Sequence, residues 1–189
     1  MVRIAAVLSI ALYLMTAGMA MAAETQTGKP KILVAYFSWS GNTRDIAKNI
    51  HQKVGGDLFE IVPATPYPTD YNACLDQSAE ELKRQYRPPL KTHVANMKQY
   101  DVIFLGYPNW WATIPMPVAS FLEEYDFSGK TIVPFCSHGG GRLGQSTTAI
   151  AKLCPQSTIL EALSIYYSGG GTLQDDITTW LRKIGMKTR

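Results

Sequence analysis

The sequence feature that most constrains the fold is a regular alternation between short apolar runs and amphipathic stretches. Five apolar runs have the length of strands and lie at residues 31–37, 58–62, 102–107, 131–136 and 158–166. After each run, apolar residues recur at the three- and four-residue spacing of a helix face. Parallel strands need crossover connections, usually helices. The alternation therefore predicts an α/β three-layer sandwich, with a five-stranded parallel sheet covered by helices on both faces.

Local signals delimit three of the predicted helices. The first has its apolar face at Ile46, Ala47, Ile50 and Val54, and a Gly55–Gly56 pair ends it. The second begins after Asp70, a suitable N-cap residue. Its predicted apolar face consists of Tyr71, Cys74, Leu75, Ala79, Leu82 and Tyr86. The last begins at Thr172 and Asp175, which have the spacing of a capping box.

The first 22 residues have the three parts of a secretory signal peptide. A positively charged start at residues 1–3 precedes an apolar run of 14 residues, and small residues at Ala20 and Ala22 flank Met21. The run is shorter than the roughly 20 residues that a membrane span needs. We expect cleavage after Ala22 or Ala23, no stable membrane span afterwards, and a periplasmic or secreted protein. A retained anchor helix is the alternative.

Composition narrows the classes of function. The length of 189 residues suits one domain, expected at residues 31–186. The chain has 18 Lys and Arg against 15 Asp and Glu, a net charge of +3, which is too weak for a nucleic-acid surface. The three cysteines and three histidines share no metal-ligand spacing, so no metal site is expected.

Three loops are expected at the same edge of the sheet. In open parallel sheets, ligands bind at the carboxyl ends of the strands, which here are followed by residues 38–43, 106–115 and 136–144. The first loop reads Ser-Trp-Ser-Gly-Asn-Thr and leads into a helix. Its amides and hydroxyls suit an anion, although an ordinary polar turn is equally compatible. Because it lacks the GxxxxGK(S/T) pattern, hydrolysis of nucleoside triphosphates is disfavoured.

The first loop and its flanks resemble the flavodoxin signature. Residues 36–50 read Tyr-Phe-Ser-Trp-Ser-Gly-Asn-Thr-Arg-Asp-Ile-Ala-Lys-Asn-Ile, and one departure is Ala35, where a larger residue is usual. Residues 106–111 and 137–141 also resemble this family, in the expected order. The resemblance covers residues 31–184 and implies a flavodoxin-like fold, strand order 2-1-3-4-5 and bound FMN.

The resemblance implies that all three loops hold FMN. The first loop would bind the 5′-phosphate, and residues 137–140 would bind the polar edge of the ring. One of the adjacent tryptophans would stack on the ring and the other would support it, because neighbouring side chains point in different directions. His138 is either a direct contact or a satisfied loop histidine. The residues expected to bind FMN are Ser38, Trp39, Ser40, Gly41, Asn42, Thr43, Pro108, Asn109, Trp110, Trp111, Ser137, His138, Gly139 and Gly140.

These features favour an FMN-binding electron-transfer flavoprotein of the cell envelope. No catalytic side chain is expected, because the flavin supplies the redox chemistry. Flavodoxins that replace ferredoxins are strongly acidic, whereas loss of Arg3 with the signal peptide leaves this chain 17 basic and 15 acidic side chains. We therefore expect a different redox partner protein or a small-molecule electron donor. The alternatives are an FMN-dependent NAD(P)H or quinone oxidoreductase, and an exported flavodoxin-like binding module without redox activity.

Overall fold

The computed structural model describes residues 28–189, so the predicted signal peptide lies outside the described residues. Their strands are β1 (Ile32–Tyr36), β2 (Asp57–Glu60), β3 (Val102–Pro108), β4 (Thr131–His138), β5 (Thr158–Ile159) and β6 (Leu163–Tyr166). Their helices are α1 (Asn42–Val54), α2 (Tyr71–Lys83), α3 (Met116–Glu124), α4 (Ser146–Leu153) and α5 (Leu173–Lys183). None of these helices is long and apolar enough to cross a membrane.

All strand pairs are parallel, and the sheet order is β2-β1-β3-β4-β5, with β6 also paired to β4. One apolar cluster packs α2, α3 and α4 against one face of the sheet. A second cluster packs α1 and α5 against the other face. The predicted three-layer sandwich and the predicted strand order are confirmed.

The fifth predicted strand is divided into β5 and β6 by a bulge. Ile132 pairs with Ile159, whereas Phe135 pairs with Leu163, so the edge strand contains one more residue than β4 between these pairs. Carbonyls of alternate β4 residues face this neighbour: Ile132 accepts from Leu160 and His138 from Tyr167. Pro134 is two residues after Ile132 and therefore faces the same neighbour. Because proline has no backbone N–H, β4 offers no donor opposite the bulge. The missing donor explains why the ladder is interrupted there.

The helix prediction holds for α1, whereas the predictions for α2 and for the start of α5 need correction. Asp70 caps α2 as predicted, because its Oδ1 accepts the Ala73 N–H at 2.8 Å. The buried side of α2 is Cys74, Ser78 and Glu81, while Tyr71 is 62% exposed, so the predicted apolar face is partly wrong.

The predicted capping box of α5 is also wrong. The Thr172 side chain caps no backbone N–H, and its hydroxyl donates instead to the Asp176 carboxylate at 2.9 Å. The buried face of this helix nevertheless contains Leu173, Ile177 and Trp180, at the spacing of a helix face. The helix therefore depends on its apolar face more than on a side-chain cap.

Candidate functional site

The loops after β1, β3 and β4 converge on one groove at the carboxyl edge of the sheet. Its volume of about 510 Å³ lies within the usual range for small-molecule sites. Ten of the predicted residues line it: Trp39, Ser40, Asn42, Pro108, Asn109, Trp110, Trp111, Ser137, His138 and Gly139. The remaining four, Ser38, Gly41, Thr43 and Gly140, lie in the same loops but do not line the groove.

The first loop presents an open helix end to this groove. Gly41 is the N-cap of α1 at φ 97°, a left-handed conformation that glycine adopts without steric cost, and no described side chain caps the helix. Ser38 Oγ accepts the Gly41 N–H at 3.2 Å. The nearby Arg44 guanidinium pairs with Glu60 at 2.6 Å. An anion at this helix end would therefore be held mainly by backbone amides and neutral side chains.

The adjacent tryptophans of the second loop have different surroundings. The Trp110 ring meets Tyr67 edge-on at 5.0 Å and Phe37 at 5.4 Å, so it packs on the apolar core. The Trp111 side chain is 50% exposed, and its Nε1–H donates to Ser78 Oγ of α2 at 3.0 Å. The indole of Trp111 thus forms an outer wall of the groove, while Trp110 supports the loop from below.

Trp111 is held in a strained conformation. Trp111 and Ala112 have φ values of 52° and 58°, and left-handed backbone costs a non-glycine residue about 1–2 kcal/mol. Two backbone bonds between Trp110 and Thr113, of 2.9 and 3.2 Å, close the turn, and the Gln145 N–H donates to the Ala112 carbonyl at 2.6 Å. Gly144 permits this approach, because a Cβ there would lie 2.3 Å from the same carbonyl oxygen. The surrounding contacts therefore fix the direction of the exposed indole.

The third loop places a neutral hydrogen-bond donor beside the groove. His138 Nδ1 accepts the Gly140 N–H at 3.0 Å, which leaves the ring proton on Nε2. Burial, and then the charge of Arg142, lower the pKa of His138 from its ordinary value. The imidazole is therefore neutral at pH 7 and able to donate through Nε2.

Asn109 presents an unsatisfied acceptor. Its Nδ2 donates to the Arg142 carbonyl at 2.6 Å, while its buried Oδ1 has no partner among residues 28–189. A buried acceptor left unpaired costs free energy, so this oxygen suits a ligand N–H.

Within residues 28–189, no cluster of three or more His, Cys, Asp or Glu side chains could hold a metal ion.

A family model described as flavodoxin matches residues 31–184. The chain belongs to the flavodoxin family. The match spans every strand and helix of the described region, including the three loops of the groove.

Solved structures of similar proteins agree with this flavodoxin assignment. A candidate flavoprotein from Bacteroides eggerthii is 37% identical, with a TM-score of 0.74, and the match covers 84% of this chain and 100% of the other. One from Bacteroides uniformis is 28% identical, with a TM-score of 0.73 and coverages of 82% and 99%.

A more distant flavoprotein, from Lactobacillus acidophilus and solved in complex with FMN, shares the fold. It is 18% identical, with a TM-score of 0.62 and coverages of 71% and 93%. Among proteins with curated descriptions, none matches the chain.

Helix α2 forms a wall of the flavodoxin groove that sequence reasoning missed. Tyr71, Cys74, Leu75 and Ser78 line the groove, as does Tyr167 after β6. The spacing of the four α2 residues marks one helix face, but the same spacing predicts a core face, and the sequence does not distinguish the two.

Burial, and then Glu81, raise the pKa of the Cys74 thiol to about 11, so the thiol stays protonated at neutral pH.

Proposed function

We propose that this flavodoxin-family protein binds FMN in the groove and acts as an electron-transfer flavoprotein of the cell envelope. The observation that carries the proposal is the meeting of two features in one crevice. An uncapped helix N-terminus opens on the groove, and the same groove has aromatic walls and is lined by Asn109, whose amide oxygen is unpaired among the described residues. FMN has matching parts, since it combines a phosphate with a planar ring that carries an N–H between two carbonyls.

The residues of the groove fit such a ligand in named roles. The amides that begin α1 and the side chains of Ser40 and Asn42 would hold the phosphate. Asn109 Oδ1 would accept the ring N–H, and the neutral His138 would donate through Nε2. The half-exposed Trp111 would cover the ring and exclude water.

Bound FMN would supply the one- and two-electron chemistry. The protein itself has to bind and orient the flavin and shield it from water. The FMN complex of the Lactobacillus acidophilus flavoprotein, which shares this fold, supports the choice of FMN. The envelope location rests on the N-terminal sequence pattern and is part of the proposal.

A specific observation favours a second candidate function, an FMN-dependent NAD(P)H or quinone oxidoreductase. The α2 residues Tyr71, Cys74 and Leu75 line the groove together with residues of the three loops. A groove with this additional wall would suit a small acceptor or donor beside the flavin better than a flat carrier surface would.

Absorbance spectroscopy separates these candidates. Purified protein incubated with FMN and freed of unbound flavin should retain a flavin spectrum. If the protein is an electron carrier, addition of NADPH alone should leave the flavin spectrum unchanged over minutes. Rapid bleaching by NADPH would support the oxidoreductase instead, and colourless protein would support a binding module without redox activity.

A further inference from the structure

A second groove lies along the edge of the sheet that ends in β6. It is lined by residues 161–170, which contain β6, and by α5 residues that include Asp175, Asp176 and Trp180. Its volume of about 750 Å³ exceeds that of the groove at the carboxyl ends of the strands. Tyr167 lines both grooves, so this edge groove adjoins the candidate flavin site.

The backbone of β6 has unpaired groups at this edge. In a parallel ladder, alternate residues direct their N–H and carbonyl groups to the same neighbouring strand. The Tyr167 N–H donates to the His138 carbonyl of β4, so Ser164 and Tyr166 direct their groups away from β4. The Tyr166 carbonyl accepts the Gly169 N–H at 2.9 Å. The N–H and carbonyl of Ser164 and the N–H of Tyr166 have no backbone partner within residues 28–189.

Ser164 and the composition of β6 leave this edge open to another chain. The Ser164 Oγ is buried and has no hydrogen-bond partner in the described part of the chain. An edge with unpaired backbone groups is a template for a further strand, and charged residues or proline usually protect it. The sequence of β6, Leu-Ser-Ile-Tyr, contains neither.

The edge groove is acidic. Asp175 and Asp176 are exposed in the first turn of α5, and neither has an ion-pair partner among the residues described. The lysine of the groove, Lys183, is already paired with Glu161 at 2.5 Å. The groove is therefore negative although the whole chain has a net charge of +3. This charge favours a cationic occupant and opposes edge-to-edge pairing of two copies, which would bring two acidic grooves together.

The opposite face of β6 is aromatic. Leu163 and Ile165 belong to the apolar cluster that contains α5, so the neighbouring Tyr166 side chain lies on the other face of the sheet. Tyr166 is 60% exposed and Tyr167 is 51% exposed, with their ring centroids 4.5 Å apart. The side chains of an added strand would alternate between the acidic α5 residues and these exposed rings.

We propose that the edge of β6 docks an extended segment of a partner protein, rich in lysine or arginine, by β-strand addition. Backbone bonds to Ser164 and Tyr166 provide affinity, and cations opposite Asp175 and Asp176 provide selectivity. This inference goes beyond the proposed function and does not depend on FMN. A partner held there lies next to Tyr167, at the border of the candidate flavin site.

The binding test uses a fluorescein-labelled peptide in which lysine alternates with valine, and purified protein with and without FMN. Fluorescence anisotropy should show saturable binding that weakens at least tenfold when the salt concentration rises from about 50 to about 500 mM. A peptide with glutamate in place of lysine should not bind. In hydrogen-exchange NMR, the lysine peptide should slow exchange of the Ser164 and Tyr166 amides and change that of Ile165 little.

Variants separate the contributions of charge and backbone. Replacing Asp175→Asn and Asp176→Asn together should weaken peptide binding about tenfold. The matched control, Asp76→Asn with Glu80→Gln, removes the same charge from exposed positions of α2 outside the edge groove and should leave binding unchanged. Ser164→Pro removes an N–H that points away from β4, so it should abolish peptide binding and preserve the β4 ladder.

Each outcome decides for or against the proposal. It would be overturned by a lysine peptide that does not bind, by equal binding of the glutamate peptide, or by binding that the aspartate variant leaves unchanged. A dimer that Ser164→Pro converts to a monomer in analytical ultracentrifugation would make a second copy the occupant and overturn the basic partner. If Ser164→Pro does not fold, unchanged exchange of the Ser164 and Tyr166 amides at saturating peptide would overturn strand addition. Failure to bind FMN would refute the proposed function and leave this test intact.

Discussion

Replacing each of the adjacent tryptophans by alanine should separate cofactor binding from folding. Trp111 is half exposed and is attached to α2 by one hydrogen bond to Ser78. Trp110 packs on Phe37 and Tyr67. Trp111→Ala should therefore mainly weaken FMN binding, whereas Trp110→Ala should mainly lower the free energy of unfolding.

The surroundings of Trp111 give the expected loss of FMN affinity and of stability. A half-exposed tryptophan leaves up to about 125 Å² of its surface for a ligand to cover. Burying half of that area contributes about 1.5 kcal/mol to the binding free energy. Ring stacking adds about 0.5–1.5 kcal/mol. Trp111→Ala should therefore weaken FMN binding roughly 30- to 150-fold. Its loss of one hydrogen bond should cost only about 1 kcal/mol of stability.

Trp110→Ala should lower the free energy of unfolding by about 3 kcal/mol, near the lower end for such truncations because the indole is only partly buried. Urea denaturation of the flavin-free proteins measures stability, and FMN titration followed by fluorescence measures affinity. The reasoning would be refuted if Trp111→Ala bound FMN as tightly as the unaltered protein, or if both variants lost stability equally.

Three further predictions concern other parts of the chain. Because burial and then Arg142 lower the pKa of His138, the native state resists its protonation; relative to His138→Gln, the protein should lose thermal stability as the pH falls below about 6.5 and should be unaffected above it. Melting curves between pH 5 and 8 measure the difference in thermal stability between the two proteins. A difference that grows as the pH rises would contradict the prediction. Asp70→Ala removes the bond to the Ala73 N–H, so it should lower the free energy of unfolding by about 1 kcal/mol in urea titrations; an unchanged midpoint would exclude a role for this cap. N-terminal sequencing of protein exported by a bacterial host should begin at Ala23 or Glu24, and a first residue of Met1 would disprove cleavage.

The sheet order and the place of the site follow from patterns that are local in the sequence. The apolar runs at residues 31–37 and 102–107 correspond to β1 and β3 to within one residue at each end. Parallel strands with helical crossovers then bring the following loops to one edge. This is why residues as far apart as Trp39 and His138 could be assigned to one groove.

Other features depend on contacts between distant segments and leave no local signal. The bulge between β5 and β6 depends on which neighbour Pro134 faces, which only the register reveals. Tyr71 and Leu75 have the spacing of a core face, yet they line the groove. The close packing of the turn at Ala112 on Gly144, 32 residues later, likewise appears only in the structure.

The bond between Thr43 and Ser137 is a clear example of this limit. The resemblance to flavodoxins implies that Thr43 binds the phosphate and that Ser137 binds the polar edge of the ring. In the structure the two hydroxyls contact each other at 2.8 Å. Whether either residue also contacts FMN stays a prediction.

The measurement that tests the central claim most directly is the absorbance spectrum of the purified protein after incubation with FMN and removal of unbound flavin. Our account predicts a bound flavin spectrum, about one FMN per chain, and loss of most of that flavin from Trp111→Ala under the same washing. Colourless protein, or flavin retained equally by both proteins, would contradict the assignment of FMN to the groove walled by Trp111 and Asn109.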